Sequence, residues 1–345
     1  IGMPIYDASK DSVYRVSREL RNLLPNTPII LGGITATFYG RELLEENQFI
    51  DATCQGEGEE TWLEIVKALE QGKSLNGISG ITFRYNGEII QNKQRTLLEL
   101  DDLPWAARDL LADNTLKIAQ LSTSRGCTGN CSFCCSRRFW KTWRGKKIQN
   151  VVDEMEYIIK AYGVQRFNFI DCTFEDPGGN YDRIKALTDE ISRRQLHVSY
   201  YADVCATIHK ILDAPLMEAL KTTGLCGVFC GLEAANNDDL TLYNKRARIE
   251  DNKRVLELFN SYHIHVDIGF ILYNPYSTVE RLRKNMLFLN EYGYASCFAY
   301  FKSKYRLYRG TMLYERVVKE GLKTESFFND PFCYKFVHPE IELLT

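Results

Sequence analysis

The sequence lacks long apolar runs, a marked net charge and low-complexity segments. No stretch of 18 consecutive apolar residues occurs, so no membrane-spanning helix is expected. The 43 Lys and Arg residues nearly balance the 45 Asp and Glu residues, and the formal charge of −2 gives no net attraction to nucleic acid or anionic membranes. With 45% hydrophobic and 26% charged residues, the composition is that of a folded globular protein.

Histidine is absent from the first 196 residues, and no secretory signal pattern precedes the 11 cysteines. An odd number of mostly isolated cysteines without such a signal indicates free thiols in the reducing cytoplasm, together with one cluster of metal ligands. The chain begins at Ile1, inside a predicted strand, so we expect a fragment without its true N-terminus. Its 345 residues correspond to about two domains, at ~150 residues for each.

Residues 1–97 alternate predicted strands and helices. Short apolar strands end at Gly32 and Gly33 and again at Gly56 and Gly58, and a helical pattern follows each pair. This alternation indicates a partial Rossmann-like domain with an open parallel sheet. In such a sheet, ligand sites lie at the carboxyl ends of the strands.

An Asn-Gly pair between two apolar runs predicts a hairpin over 81–91, and residues 98–115 are typical of a linker. Strand–helix alternation then restarts over 116–302, which predicts a partial TIM-type (βα)6 barrel with its site at the carboxyl ends of the strands. An aromatic-rich C-terminal cap is expected over 303–345. The fold class is thus α/β. The six predicted barrel strands are 117–123, 165–171, 197–204, 226–233, 265–272 and 295–301.

Three cysteines follow the first predicted barrel strand: Cys127, Cys131 and Cys134, in SRGCTGNCSFC. Glycines in this loop allow the tight turn that convergence of three thiolates requires. Thiolates bind iron–sulfur clusters or zinc, and three of them on a four-iron cluster leave one iron open. Structural zinc would need a fourth ligand, and Cys135, as the neighbour of Cys134, points away from it. A zinc site and plain loop cysteines are the alternatives.

This cysteine spacing, with Phe133 just before the third cysteine, resembles the signature of the radical SAM superfamily. The similarity spans nearly the whole chain. ILGGITATF, GEGEE and DDLPWAARDLL resemble the subgroup that carries an N-terminal cobalamin-binding domain. The barrel segments in the order typical of the family are LSTSRGCTGNCSFC, FIDCTFED, GLE and DIGFILYNPYST.

The resemblance implies that Cys127, Cys131 and Cys134 hold a [4Fe-4S] cluster, with Phe133 among the cofactor-binding residues. The open iron would chelate the amino and carboxylate groups of S-adenosylmethionine. One electron, from a donor such as flavodoxin or ferredoxin, would cleave S-adenosylmethionine, and a 5′-deoxyadenosyl radical would take a hydrogen atom from the substrate. The protein would position these groups and exclude water.

The resemblance also implies cobalamin in the N-terminal domain. We expect it at the sheet edge of Gly32, Gly33, Gly56 and Gly58, where glycine lets the corrin or its nucleotide tail approach the backbone. Relatives that bind cobalamin present an early histidine loop to cobalt. Here that loop is either in the missing N-terminus or absent, so cobalamin binding stays an open prediction.

Further site residues are expected at the ends of barrel strands. Asp171 ends the second strand, where the resemblance implies a group near the methionyl amine, although a helix cap or solvated acid is the alternative. Cys172 stands where many relatives have a second acid. Glu233 ends the fourth strand in an apolar run, where a buried carboxylate needs a cofactor or a basic partner. Lys245 is a candidate for that partner, and a solvated lysine is its alternative.

Two other patterns favour structural roles. Cys226 and Cys230 lie on a predicted strand about 13 Å apart, too far to share one metal, and are predicted to be core thiols. The stretch 137–147 combines cations with aromatic residues, which would suit RNA, a phosphate, a substrate leader or a domain contact. A single patch of this kind is usually solvated surface, and nucleic acid is not expected as a partner.

These patterns predict radical chemistry at an unactivated carbon, with cobalamin-assisted methylation of a peptide or small natural product as the leading hypothesis. The alternative reaction has no cobalamin, and the radical drives an epimerisation, oxidation or ring closure. In that case Cys333, in the C-terminal cap, would donate a hydrogen atom, whereas its alternative role is packing among aromatic residues. A third hypothesis is a non-catalytic iron–sulfur or zinc module.

Overall fold

The computed structural model describes two compact units, Ile1–Glu99 and Leu100–Thr345. No helix in the described part of the chain is long and apolar enough to cross a membrane. Part of the predicted linker (110–115) and part of the predicted cap (325–331) lie outside the described residues. The described residues are 1–109, 117–177, 181–324 and 332–345.

The first unit alternates strands and helices as predicted, and its sheet has five strands. Its elements are β1 (Gly2–Pro4), α1 (Lys10–Leu23), β2 (Ile30–Gly32), α2 (Ile34–Glu46), β3 (Ala52–Cys54), α3 (Glu59–Glu70), β4 (Ile81–Tyr85) and β5 (Glu88–Gln91). The strands follow their sequence order in the sheet. β1, β2 and β3 are parallel to one another, β4 is antiparallel to β3, and β5 is antiparallel to β4. The carboxyl ends of β2 and β3 therefore meet at one edge, as a Rossmann-like sheet requires.

The predicted hairpin is confirmed in β4 and β5. Asn86 and Gly87 connect the two strands with φ angles of 49° and 84°. Two successive residues with positive φ form the turn whose twist matches that of paired antiparallel strands, and Asn-Gly is its preferred sequence.

The second unit contains a parallel sheet with the order β12-β11-β10-β9-β6, backed by helices. Its elements are β6 (Ala119–Leu121), β7 (Ser124–Arg125), α4 (Ser136–Trp140), β8 (Arg144–Gly145), α5 (Ile148–Tyr162), β9 (Arg166–Phe169), α6 (Asp182–Arg193), β10 (Ser199–Cys205), α7 (Ala214–Thr222), β11 (Leu225–Glu233), α8 (Asn237–Leu242), α9 (Ile249–Ser261), β12 (His265–Phe270), α10 (Val279–Glu291), α11 (Phe298–Phe301) and α12 (Met312–Lys319).

Alternation along β10 separates the two faces of this sheet. Tyr200, Ala202 and Val204 are buried in the core with the helices, whereas Tyr201 and Cys205 are partly exposed on the other face. The face of Tyr201 and Cys205 is the one that a barrel would enclose. The carboxyl ends of the strands, where such barrels have their site, lie beside it.

The prediction of a sixth barrel strand over 295–301 is wrong. The chain forms a 3₁₀ turn at Tyr294–Ser296 and then α11, and a single parallel bridge between Tyr273 and Lys304 takes the place of a strand. Tyr294 explains the difference, because its hydroxyl donates to the Val266 carbonyl (2.9 Å) and its ring packs edge-on against Tyr300. The aromatic side chains contact β12 from helical turns rather than from a paired strand.

Candidate functional site

Cys127, Cys131 and Cys134 lie in one loop, residues 126–143, whose two ends are held together. β7 and β8 pair as a short antiparallel ribbon on either side of the loop. Gly126 starts it with a φ of 93°, and a Cβ atom there would lie 2.3 Å from the Thr142 carbonyl oxygen. Only glycine fits this position, so the tight turn that the sequence predicted is present.

Backbone amides donate to two of the three sulfurs. The Gly129 N–H donates to Cys127 Sγ (3.2 Å), and the Ser136 N–H donates to Cys134 Sγ (3.4 Å). A Cβ atom at Gly129 would lie 3.3 Å from Cys127 Sγ and 3.7 Å from Cys131 Sγ. Glycine therefore leaves space between these sulfurs, and the amides favour the thiolate form that metal binding requires.

Four long-range hydrogen bonds fix the cysteine loop to the segment after α8. Arg246 donates to the Thr128 carbonyl (2.6 Å), and Asn244 donates to the Asn130 carbonyl (2.8 Å). The Ser132 N–H donates to the Tyr243 carbonyl (2.8 Å), and the Ser132 hydroxyl donates to the Leu242 carbonyl (2.6 Å). These four contacts with residues 242–246 hold the cysteine loop in position.

Phe133 packs at the same place. Its ring meets the ring of Tyr243 edge-on, with 5.4 Å between centroids, and lies partly buried against the core. Tyr243 is fully buried, and its hydroxyl accepts a hydrogen bond from Asn274 (2.9 Å). Phe133 is therefore close to the cysteines, as predicted, with one side of its ring used in packing.

The residues present fit an iron–sulfur cubane. No group of three or more His, Cys, Asp or Glu side chains converges on a single-ion site in the residues that the structure describes. A cubane does not require such convergence, because each of its thiolates binds a different iron. Three cysteines on one anchored loop, two with N–H donors to sulfur, are the donor set that such a cluster needs.

A cavity of about 110 Å³ lies beside the cysteine loop, at the carboxyl ends of the strands. We call it the site pocket. Its lining includes Gly129, Cys131, Glu175, Cys205 and Lys245. The predicted ligand Cys131 and the predicted Lys245 thus share one pocket with two residues that sequence reasoning missed.

Glu175 and Cys205 are those two residues. Glu175 is 9% exposed, its Oε1 accepts from the Cys205 N–H (2.9 Å), and its Oε2 is buried without a partner among the described residues. A buried, half-satisfied carboxylate that lines a pocket is available for a donor on a ligand. The segment FIDCTFED contains both acids, but only Asp171 was predicted to be a site residue.

Cys205 ends β10 and contacts the first signature cysteine. A hydrogen bond from the Cys205 thiol lowers the pKa of Cys127 to about 6, against the effect of burial and with help from the Gly129 N–H. The same contact, together with burial, raises the pKa of Cys205. Burial also raises the pKa of Cys131, to about 11, and that of Cys134. Of the three loop cysteines, Cys127 is therefore the one whose pKa is lowered.

Glu233 and Lys245 form a buried pair, as predicted. Lys245 Nζ lies 3.5 Å from Glu233 Oε1 and donates to the Gly231 carbonyl (2.8 Å); the Lys245 side chain is 9% exposed and that of Glu233 13%. Burial raises the pKa of Glu233 although Lys245 opposes the shift. Burial alone would lower the pKa of Lys245, but Glu233 and the nearby thiols outweigh it and hold the pKa above its usual value. Lys245 is not a solvated surface lysine.

Asp171 lies buried just after β9 and is hydrogen-bonded to the chain. Its side chain is 2% exposed, and Oδ1 accepts from the N–H groups of Thr123 and Ser124, both at 2.8 Å, while the Thr123 hydroxyl donates to Oδ2. Burial raises its pKa against these hydrogen bonds. The carboxylate is engaged with the backbone that leads into the cysteine loop, and its place near the methionyl amine stays a prediction. Its neighbour Cys172 is exposed.

Cys333 does not lie at an open site. It is 2% exposed and belongs to the apolar core with Tyr305, Leu313 and Val317. This burial favours the packing role, because a hydrogen donor must reach the substrate, and the donor role stays an untested prediction.

The two cysteines predicted to be core thiols, Cys226 and Cys230, differ in exposure. Cys230 is fully buried, as predicted, but Cys226 is exposed on the same strand. A register shift next to Leu225 in the pairing of β10 with β11 breaks the alternation that had placed both cysteines in the core.

The four glycines predicted to approach cobalamin lie at the ends of β2 and β3. Gly32 ends β2, Gly33 precedes α2 with a φ of 91°, and Gly56 and Gly58 follow β3. A Cβ atom at Gly56 would have no heavy atom within 4 Å, and one at Gly58 would lie 3.7 Å from Cys54 Sγ. The backbone at this edge is therefore open to a ligand, as a cobalamin tail requires. Gly33 differs, because its Cβ atom would lie 3.3 Å from the Ile5 carbonyl oxygen.

Comparison with known proteins agrees with this geometry. Residues 121–289, which run from β6 through α10, match the model of the radical SAM superfamily. The chain is 28% identical over 295 residues to an uncharacterized methyltransferase of Pyrococcus horikoshii, covering 84% of this chain and 63% of the relative. It is 29% identical over 288 residues to the anaerobic magnesium-protoporphyrin IX monomethyl ester cyclase of Rubrivivax gelatinosus, covering 79% and 51%.

Solved structures share the fold. The cobalamin-dependent S-adenosylmethionine radical enzyme OxsB, with aqua-cobalamin and S-adenosylmethionine bound, superposes with a TM-score of 0.78 at 19% identity, over 98% of this chain and 56% of that one. The radical S-adenosylmethionine methyltransferase TsrM from Kitasatospora setae gives 0.74 at 16% identity, over 94% and 66%. Residues 121–289 are thus similar to the radical SAM superfamily, and the chain has the fold of the two cobalamin-binding or radical S-adenosylmethionine enzymes superposed on it.

Proposed function

We propose that the protein methylates an unactivated carbon of a peptide or small natural product, with a [4Fe-4S] cluster, S-adenosylmethionine and cobalamin as cofactors. One observation carries the proposal: an anchored loop presents three cysteines beside a pocket at the carboxyl ends of a parallel sheet. The chain spans 63% and 51% of the two relatives described above, so the activity of the whole protein is part of the proposal.

Cys127, Cys131 and Cys134 would hold the cluster. When bound, the cluster supplies the electron that cleaves S-adenosylmethionine, and cobalamin supplies a carrier for the methyl group. The Gly129 and Ser136 amides donate to two of the sulfurs, and these N–H···S bonds would favour the thiolates and tune the bound cluster.

Three further side chains would position the ligands. The free Oε2 of Glu175 is available to the methionyl ammonium group, in the role that the sequence assigned to Asp171. Asp171 instead holds the Thr123–Ser124 backbone, which leads into Gly126 and the cysteine loop. Lys245 adds a positive charge beside Cys131, where thiolate charge accumulates. The walls of the site pocket around these groups exclude water from the reacting centre.

Methylation is supported by the methyltransferases among the relatives, and ring closure is the second candidate. The identity of 29% to a cyclase favours that alternative reaction specifically. Epimerisation with Cys333 as hydrogen donor is not supported, since that thiol is buried in the core.

A labelling experiment in cells separates methylation from ring closure without a known substrate. The full-length gene is expressed in its host, in parallel with a Cys131→Ser variant, and both cultures receive methionine with a trideuterated methyl group. Untargeted mass spectrometry then compares the two. We expect a product that requires Cys131 and carries a deuterated methyl group. A Cys131-dependent product without the label would contradict methylation and favour ring closure.

Cobalamin binding is tested at Gly58. Gly58→Leu would fill the open edge after β3 and is expected to lower bound corrin several-fold without loss of iron. Gly58→Ala is the matched control, because its Cβ atom would make only an ordinary contact with Cys54 Sγ, at 3.7 Å. Gly33 is unsuitable, since a side chain there would disturb the fold itself. Corrin absorbance and iron content of purified protein give the result, and full corrin occupancy in Gly58→Leu would contradict the assigned edge.

A further inference from the structure

A mostly buried arginine, Arg183, holds the two ends of the cysteine loop. Its side chain is 11% exposed and comes from the first turn of α6. Nη2 donates to the Thr123 carbonyl (2.6 Å), and Nη1 donates to the Lys146 carbonyl (2.7 Å). Thr123 directly precedes β7 and Lys146 directly follows β8. One guanidinium group therefore joins both strands of the ribbon at the base of the loop.

The same guanidinium group contacts two further side chains. Its Nε forms an ion pair with Asp176 Oδ1 (3.4 Å), and Asp176 lines the site pocket. Its Cζ lies 5.9 Å from the centre of the Trp143 ring, at the end of the loop. A Cβ atom at Gly145 would lie 3.3 Å from Arg183 Cζ and 2.6 Å from Trp143 Cη2, so glycine leaves room for this contact. Arg183 thus connects the base of the loop to the wall of the site pocket.

This set of contacts needs an arginine. A guanidinium group presents its N–H donors in a rigid planar fork, so Nη1, Nη2 and Nε serve three acceptors at once. A lysine would keep the charge, but its donors share one nitrogen and lack the fork. The positive charge is compensated, since Asp176 pairs with it and Asp171 also attracts it. A buried charge that is paired and hydrogen-bonded in this way is tolerated in a protein interior.

We propose that Arg183 is a positioning residue, which sets the cysteine loop against the site pocket so that S-adenosylmethionine reaches the open iron. The inference rests on the proposed function, because the open iron belongs to the cluster. Arg183 acts through the ribbon: Gly126 and Cys127 directly follow β7, so a shift of the Thr123 peptide would move the first ligand. A displacement of about 1 Å at a reacting centre can cost about a hundredfold in rate.

Arg183→Lys is the test variant, and Arg194→Lys is its matched control. Arg194 directly follows α6, is 15% exposed and pairs with Glu190, Asp153 and Glu156. These three acids lie on α5 and α6. The control therefore removes the planar fork of another mostly buried, paired arginine at the other end of the same helix, while the ribbon keeps its contacts.

Hydrogen exchange of the full-length, cluster-free protein, followed by mass spectrometry, gives the first result and does not depend on the cluster. We expect Arg183→Lys to speed exchange about tenfold in peptides that span 122–126 and 143–147, with the rest of the second unit near the unaltered rate. Arg194→Lys should leave these peptides unchanged. Unaltered exchange in the ribbon of Arg183→Lys would overturn the proposal. An increase spread evenly over the second unit would also overturn it, because Arg183 would then contribute to general stability only.

Cleavage of S-adenosylmethionine by the reconstituted full-length protein, with dithionite and methyl viologen, gives the second result. We expect Arg183→Lys to keep about four irons per chain and to raise KM for S-adenosylmethionine about tenfold. The change that S-adenosylmethionine causes in the electron paramagnetic resonance spectrum should become smaller, and Arg194→Lys should match the unaltered protein.

Two outcomes of this second measurement would overturn the positioning role. One is an unchanged KM with an unchanged spectrum in Arg183→Lys, and the other is loss of its iron, which would assign Arg183 to cluster retention. If the unaltered protein did not cleave S-adenosylmethionine, the proposed function would be overturned and the positioning role with it. Hydrogen exchange would still show in that case whether Arg183 holds the ribbon, so the two failures are distinguishable.

Discussion

Cys131→Ser is expected to abolish iron–sulfur binding and 5′-deoxyadenosine formation together. Cys131 lines the site pocket, so its side chain is the proposed cluster ligand that borders this cavity. Serine keeps the size of the side chain but supplies a hard hydroxyl in place of a soft thiolate, and two remaining cysteines do not retain a cubane. Iron and sulfide analysis after anaerobic reconstitution, with product quantification, measures both losses.

Cys135→Ser is the matched control for this prediction. Cys135 follows the third signature cysteine directly, is 7% exposed and lies at the start of α4. Its replacement should leave about four irons per chain, which is the content of a [4Fe-4S] cluster. If Cys135→Ser lost the cluster and Cys134→Ser or Cys131→Ser kept it, the assigned ligands would be wrong.

Lys245→Met should destabilise the protein by about 3–5 kcal/mol, because removal of one partner leaves a buried charge unpaired. Glu233 would lose its neighbour at 3.5 Å, and the Gly231 carbonyl would lose its donor at 2.8 Å. Denaturant unfolding of the cluster-free protein measures the change in the free energy of unfolding. Lys221→Met, at an exposed lysine, should change it by no more than about 0.5 kcal/mol.

The double variant Lys245→Met/Glu233→Gln identifies the cause of this loss. Glutamine removes the unpaired charge while keeping the length of the side chain, so most of the stability lost in Lys245→Met should return. If the double variant were less stable than Lys245→Met, by the full additional cost of an independent change, the two side chains would not be coupled.

Much of the fold could be predicted from the sequence, because its signals are local. The periodicity that placed helices at 150–162, 181–194, 251–262 and 279–292 reflects faces that do pack on the sheet, and the observed helices begin and end within two residues of those bounds. The Asn-Gly turn likewise depends on two adjacent residues. The strand predicted over 295–301 is wrong because so short an apolar run shows neither a helical nor a strand periodicity. Whether it pairs as a strand depends on contacts of Tyr294 and Tyr300 that lie elsewhere in the fold.

The candidate site was predictable only where spacing carried the information. Three cysteines within one loop, and an acid at a strand end, can be read from the chain in order. Glu175 lies in a segment that the sequence did single out, but its contact with Cys205, 30 residues further along the chain, depends on the fold. The anchors Asn244 and Arg246 reach residues more than 110 positions away. The sequence placed Asp171 at a strand end, but only the structure shows that the Thr123 and Ser124 amides donate to its Oδ1.

The most direct test of the account is the electron paramagnetic resonance spectrum of the reduced, reconstituted full-length protein, before and after addition of S-adenosylmethionine. A cluster held by only three thiolates has one open iron, so S-adenosylmethionine should bind there and change the spectrum. We expect this change in the unaltered protein and in Cys135→Ser, and no cluster signal in Cys131→Ser. The spectrum of an intact cluster that S-adenosylmethionine leaves unchanged would contradict the account.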